Sequence, residues 1–70
     1  MAYKIEIGKT YLFNYPNFGT PDGLPEYTEH SGQHVVVSGR TETENGPLYH
    51  VVAGDGWKGD VWAEELIEIF

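Results

Sequence analysis

Seventy residues with no cysteine amount to one domain, residues 1–70, held by packing alone, because neither a disulfide framework nor a thiolate metal site can be built from them. Eleven acidic residues against four basic ones leave a formal charge of −7, which repels phosphate backbones and removes the driving force for direct nucleic-acid binding. The same imbalance favours basic protein partners, and it also keeps a small domain dissolved as a monomer or weak homodimer.

The chain opens on MAYKIEI, an alternating run in place of a continuous apolar stretch. Neither a secretory leader nor a membrane span is expected, and the expected location is the cytoplasm. Tyr3, Ile5 and Ile7 share one side of residues 3–7, with Lys4 and Glu6 on the other. In the last five residues Ile67 and Ile69 stand opposite Glu68. Two short one-sided strands at opposite ends of a small chain predict a pair that closes the seam of a barrel. Gly8 breaks the first alternation. Residues 10–15 form a further extended run with Tyr11, Phe13 and Tyr15 on one face, stopped by Pro16, which cannot donate a ladder hydrogen bond.

Residues 16–33, PNFGTPDGLPEYTEHSGQ, are broken by proline and glycine and show no sustained period, so they read as a long loop without regular structure. Phe18, Leu24 and Tyr27 either anchor this loop over the barrel or present apolar contacts to a partner. Strand character returns at residues 33–38, where Val35 and Val37 oppose His34 and Val36. Residues 39–47 read as a polar connection whose strongest turn signal is Asn45-Gly46.

The stretch that organises the rest is LYHVVAGDGWKGDVWAEEL, residues 48–66. Tyr49, Val51 and Ala53 alternate with His50 and Val52, and Gly54-Asp55-Gly56 supplies a tight turn. Residues 57–62 then return with Trp57, Gly59 and Val61 on one face and Lys58, Asp60 and Trp62 on the other. Ala63-Glu64-Glu65-Leu66 is too short for an α-helix and suits one 3₁₀ turn. The fold expected is all-β: a small five-stranded barrel with a long first loop and a 3₁₀ turn before the last strand.

That order of elements resembles an SH3-like barrel, above all over residues 59–69, GDVWAEELIEI, where a strand enters a 3₁₀ turn and leaves as the last strand. Tyr11-Leu12-Phe13-Asn14-Tyr15 is a loose echo of the family's aromatic ALYDY motif, no tandem tryptophan pair occurs, and Trp62 stands where the family usually has proline. The resemblance therefore implies the fold and not polyproline recognition. A second likeness is carried by Tyr27, His30, Gly32-Gln33, Val35, Val37, Tyr49, Val51, Asp55-Gly56 and Glu65-Leu66. It is to small uncharacterised proteins of Firmicutes and of their phages and conjugative elements, and it implies a bacterial or mobile-element SH3-like protein with no activity attached.

Three chemical readings are set aside. Residues 54–59, GDGWKG, match G-x-G-x-x-G in letters, but the dinucleotide motif opens a helix inside a βαβ unit, whereas strand residues follow here and Asp55 would repel phosphate. His30 and His34, beside Glu29 and with His50 as a third ligand through space, would meet on a metal only from a helix face; Gly32 and the valines after it indicate loop running into strand. No metal or other cofactor is expected. With Ser31 and Ser38 as the only serines, and no room for a water-excluding pocket around Glu64-Glu65 or Asp55 with Asp60, the chain is not expected to be an enzyme.

Aromatic rings are the remaining resource. Ten are more than so small a barrel hides, so Tyr11, Tyr15, Phe18, Tyr27, Trp57 and Trp62 are candidates for the surface. With Glu26, Glu29, Glu64 and Glu65 they make the expected binding set, an aromatic and acidic surface suited to a peptide carrying Lys or Arg beside apolar or proline anchors. The function expected is that of a non-catalytic protein- or peptide-interaction module. Two alternatives stay open: an acidic decoy that imitates nucleic-acid phosphates in a basic groove of a host protein, and a small-ligand sponge that must oligomerise to build a pocket.

Overall fold

Val, Tyr and Phe at every second position fit a pleated, half-buried surface, and they give this chain its strands. The structure, a computed structural model that describes residues 5–16 and 24–69, contains β1 (Thr10–Phe13), α1 (Pro25–His30), β2 (His34–Thr43), β3 (Gly46–Ala53), β4 (Lys58–Trp62), a 3₁₀ turn (Ala63–Glu65) and β5 (Leu66–Glu68). All five strands belong to one antiparallel sheet in the order β4-β3-β2-β1-β5. The all-β class, the strand count and the 3₁₀ turn before the last strand agree with the sequence. The sheet is not closed into a barrel: β4 and β5 are its two edges, and no ladder joins them among the described residues.

Tyr11, Phe13 and Tyr15 from the first strand region, Val35 and Val37 from β2, Tyr49, Val51 and Ala53 from β3, Val61 from β4 and Leu66 from β5 point into one core, with Ile5 added from the N-terminal side. The faces read from residues 10–15, 33–38, 48–53 and 57–62 are therefore the buried ones. Two buried hydroxyls find donors: the Tyr11 oxygen accepts the Glu6 N–H at 2.9 Å, and the Tyr15 oxygen accepts the Leu24 N–H at 3.0 Å.

The seam at the chain ends differs from expectation. β5 pairs with β1, through Tyr11–Glu68, Leu12–Ile67 and Phe13–Leu66, and not with the run before Gly8. Residues 5–7 form no strand, and Tyr3 and Lys4 lie outside the described residues. The cause is the turn at Gly8, whose φ of +91° suits glycine and which brings the Lys9 N–H to the Glu6 carbonyl at 3.3 Å. This diverts the chain, leaving Ile5 buried and Ile7 exposed. β5 is also turned over relative to the expected face: Leu66 is buried, while Ile67 and Ile69 face outward. The chain leaves the 3₁₀ turn one residue out of phase with the alternation, and a shift of one exchanges the faces.

Residues 16–33 are not all loop. Pro25 begins the six-residue α1, with Glu26 in its first turn, where a carboxylate complements the free amides. So short a helix is marginal alone and has no repeating apolar face to betray it, so its stability comes from what it packs against. Most of the expected connection at residues 39–47 is paired ribbon too, from Gly39–His50 to Thr43–Gly46. Arg40, Thr41, Glu42 and Thr43 are all exposed, so that ribbon carries no apolar period. The turn itself is Glu44-Asn45, and Gly46 opens β3 at φ +114°, closed to residues with a side chain except at a cost.

Candidate functional site

Trp57 and Trp62 lie on opposite faces of the β4 segment, and each organises its own set of neighbours. On the inner side Trp57 stacks on Phe13 at 5.9 Å and meets Tyr27 edge-on at 5.0 Å. Tyr27 continues the contact to Tyr15 at 5.5 Å and Phe13 at 6.2 Å. His30 lies flat on the Trp57 ring, 4.3 Å away and 10° from parallel. The bare Cα of Gly59 makes room for this indole: a Cβ there would meet three atoms of the Trp57 ring, all at 3.0 Å or less. These rings join α1, β1 and the β3–β4 turn into one cluster.

Polar contacts fix its edges. The Tyr27 oxygen accepts the Asp60 N–H at 3.1 Å. Asp55, in the β3–β4 turn, accepts the Trp57 N–H through Oδ1 at 3.0 Å and faces His30 Nε2 through Oδ2 at 2.9 Å. His30 Nδ1 lies 2.7 Å from the Glu26 carbonyl oxygen. That carbonyl contact, followed by Asp55, raises the His30 pKa above its ordinary value. The Trp57 N–H, followed by His30, lowers that of Asp55.

On the outer side Trp62 is half-buried and opposes Leu48 across the β3–β4 ladder. With Asn45, Pro47, Ala63 and Glu64 it lines an open cleft of about 310 Å³, between the β2–β3 turn and the 3₁₀ turn. The apolar surfaces of Trp62, Pro47 and Ala63 form the walls, and the Glu64 carboxylate is exposed at the rim. The dimensions are those of a small side-chain pocket.

The expected binding residues thus divide. Tyr11 and Tyr15 are not surface rings; they are 0% and 7% exposed and belong to the core, which accommodates them because their hydroxyls are hydrogen-bonded. Tyr27 and Trp57 are half-buried in the stack. Phe18 lies outside the described residues. Glu26 and Glu29 are exposed on α1. Glu65 is 6% exposed and turned inward, where its Oε1 accepts the Trp62 N–H at 2.8 Å, and burial raises its pKa. Trp62 and Glu64 are the two that share a concave surface. Asn45 and Pro47 complete it and went unread, because only the Leu48–Trp62 register brings the first hairpin turn against the 3₁₀ turn.

His50 sits elsewhere, on the solvent side of β3. Its Nδ1 lies 2.7 Å from Asp60 Oδ1, to which it donates, and its Nε2 lies within hydrogen-bond distance of Thr41 Oγ1 at 2.7 Å. This chain of bonds ties β2, β3 and β4 across an exposed face, where water screens it and a cross-strand tie is worth a fraction of a kcal/mol, about 0.2–1. Among the described residues no three His, Cys, Asp or Glu side chains converge as a metal-holding group, and no helix is long and apolar enough to cross a membrane. Set against protein-family models, curated proteins and solved structures, the chain matches none.

Proposed function

We propose that this chain is a non-catalytic interaction module of bacterial or mobile-element origin, built on an SH3-like plan and working in the cytoplasm, that seats a peptide in the Trp62 cleft. The peptide is one that places Lys or Arg beside a proline or aliphatic anchor. The strand order, with the 3₁₀ turn leading into the last strand, supports the architectural part. The observation that carries the binding part is a half-buried indole walling an open cleft with a proline on one side and a carboxylate on its rim. An indole face and a nearby carboxylate together attract a cation, and an apolar slot accepts the anchor. A net charge of −7 adds long-range steering of a basic partner.

The test is a peptide array pairing Lys or Arg with Pro, Leu or Ile at varied spacings, followed by NMR titration of the best binder. Perturbation centred on the Trp62 indole N–H, lost in Trp62→Ala, supports the reading; shifts that avoid residues 45–47 and 62–64 refute it. The charge by itself favours the acidic decoy. In that case binding to a basic protein collapses with salt and survives Trp62→Ala, because released counterions and not the indole supply the affinity.

A further inference from the structure

We propose that His30, Asp55 and Trp57 form a proton-dependent latch that holds α1 against the β3–β4 turn. The geometry around the imidazole dictates its protonation. Nδ1 faces the Glu26 carbonyl oxygen at 2.7 Å, and a carbonyl has no proton to give. Nε2 faces Asp55 Oδ2 at 2.9 Å, on a carboxylate whose other oxygen already accepts the Trp57 N–H at 3.0 Å. Both ring nitrogens must therefore donate, which only the imidazolium does. The ring lies flat on Trp57 at 4.3 Å, so the cation also meets the negative face of an indole. The imidazole is 11% exposed, so little water reaches its ring nitrogens, while the Asp55 side chain, 60% exposed, keeps solvent on its outer side.

The charged groups that bear on the ring are all acidic: Asp55 from the turn, and Glu29 from α1 itself. The ring stacked on His30, Trp57 of the β3–β4 turn, is uncharged, and behind it stand Phe13 of β1 and Tyr27 of α1, whose hydroxyl accepts the Asp60 N–H of β4. Loss of the proton leaves a lone pair aimed at one of the two oxygens, and the contact across to the turn or the one inside α1 becomes repulsive. Tyr27 still ties the middle of α1 to the rings and to the Asp60 N–H, but the last turn of so short a helix loses its tie to the β3–β4 turn. Above the pH at which His30 titrates, α1 loosens; below it, α1 is clamped. This latch is independent of the peptide cleft.

NMR on the unmodified chain tests it without a variant. The His30 ring protons are followed from pH 5 to 9 alongside amide protection in α1, with the Thr28 N–H, which bonds the Leu24 carbonyl at 2.9 Å, as reporter. The expected result is a His30 midpoint above 6.5 with protection factors falling at that same midpoint. Asp55→Asn is expected to move both midpoints down together. A ring that is already neutral at pH 6, or α1 protection that ignores the His30 midpoint, overturns the latch.

Discussion

Gly59→Ala is expected to destabilise the fold through Trp57 and not through β4. Gly59 has an ordinary strand partner in Val51, and its φ lies outside the left-handed region, so alanine is acceptable to the backbone. The obstruction is the indole, three of whose atoms the new methyl would meet at 3.0 Å or less. Trp57 must swing away and give up its contacts with Phe13 at 5.9 Å and Tyr27 at 5.0 Å. Aromatic pairs of this kind are worth about 0.5–1.5 kcal/mol each beyond their buried area, so the two together cost about 1–3 kcal/mol. Replacing glycine restricts the unfolded chain and returns about 0.4–1 kcal/mol, leaving a net loss of roughly 1–2 kcal/mol. In a domain of this size that corresponds to a fall in Tm of about 5–15 °C. Urea and thermal unfolding of four proteins, wild type, Gly59→Ala, Trp57→Ala and the double variant, resolve the route. In the Trp57→Ala background Gly59→Ala is expected to be neutral or slightly stabilising, since nothing remains to collide with. An equal cost in both backgrounds refutes the reasoning and places the damage in the strand.

Glu65→Gln is expected to hold or raise stability at neutral pH. A glutamine oxygen still accepts the Trp62 N–H, while burial raises the Glu65 pKa, so the folded state disfavours the charge as pH climbs from the ordinary value through the raised one. Thermal melts at pH 4 and 7.5 check it: the wild-type profile carries this loss and the variant's does not. His30 and Asp55 shift in opposite senses. The raised His30 pKa gives a contribution fully present below 6.5 and lost as pH rises through the folded value; the lowered Asp55 pKa gives one present above 3.8 and lost as pH falls through its folded value. Calorimetry from pH 3 to 9 is expected to show both contributions together between about pH 4 and 6.5, with the alkaline decline removed in His30→Gln. The two tryptophans are expected to separate: Trp57→Ala lowers stability, by less than the about 3–5 kcal/mol that a fully buried ring costs because this indole is half-buried, while Trp62→Ala leaves stability nearly unchanged and abolishes peptide binding.

Where one sheet face is buried and the other is wet, the sequence announces both strand and face. Tyr49, Val51 and Ala53 on β3 and Gly59 and Val61 on β4 are legible for that reason. The ribbon at residues 39–43 is solvated all round, so pairing there leaves no mark in the alternation. α1 is hidden for a different reason: it is shorter than one apolar repeat needs and is held by His30 and Tyr27 reaching to other elements. Counting rings against the capacity of a core places Tyr11 and Tyr15 outside, but Phe13, Tyr15, Tyr27, Trp57 and His30 pack in one body, some stacked and some edge-on, so Tyr15 finds its place inside, and the Tyr11 hydroxyl is bonded to the Glu6 N–H. Glu65 had a readable signal. A glutamate three residues after the residue that opens a helical turn is placed to bond back to its amide, as it does to Trp62.

The edge of β4 bears on the proposed mode of binding. An exposed edge invites another strand through its row of open N–H groups. On β4 two alternate positions of that row are already taken: Asp60 N–H by the Tyr27 hydroxyl at 3.1 Å, and Trp62 N–H by Glu65 Oε1 at 2.8 Å. With those two N–H groups occupied a strand adding there forms a weaker ladder, which favours the proposed use of the Trp62, Pro47 and Glu64 side chains next to it. The Glu65 cover belongs to the 3₁₀ turn and is fixed by burial, whereas the Tyr27 cover rides on α1. Because His30 holds that helix to the Asp55 turn, a release of α1 would also uncover the Asp60 amide, so the protection of this edge from strand addition is coupled to the protonation of a single imidazole.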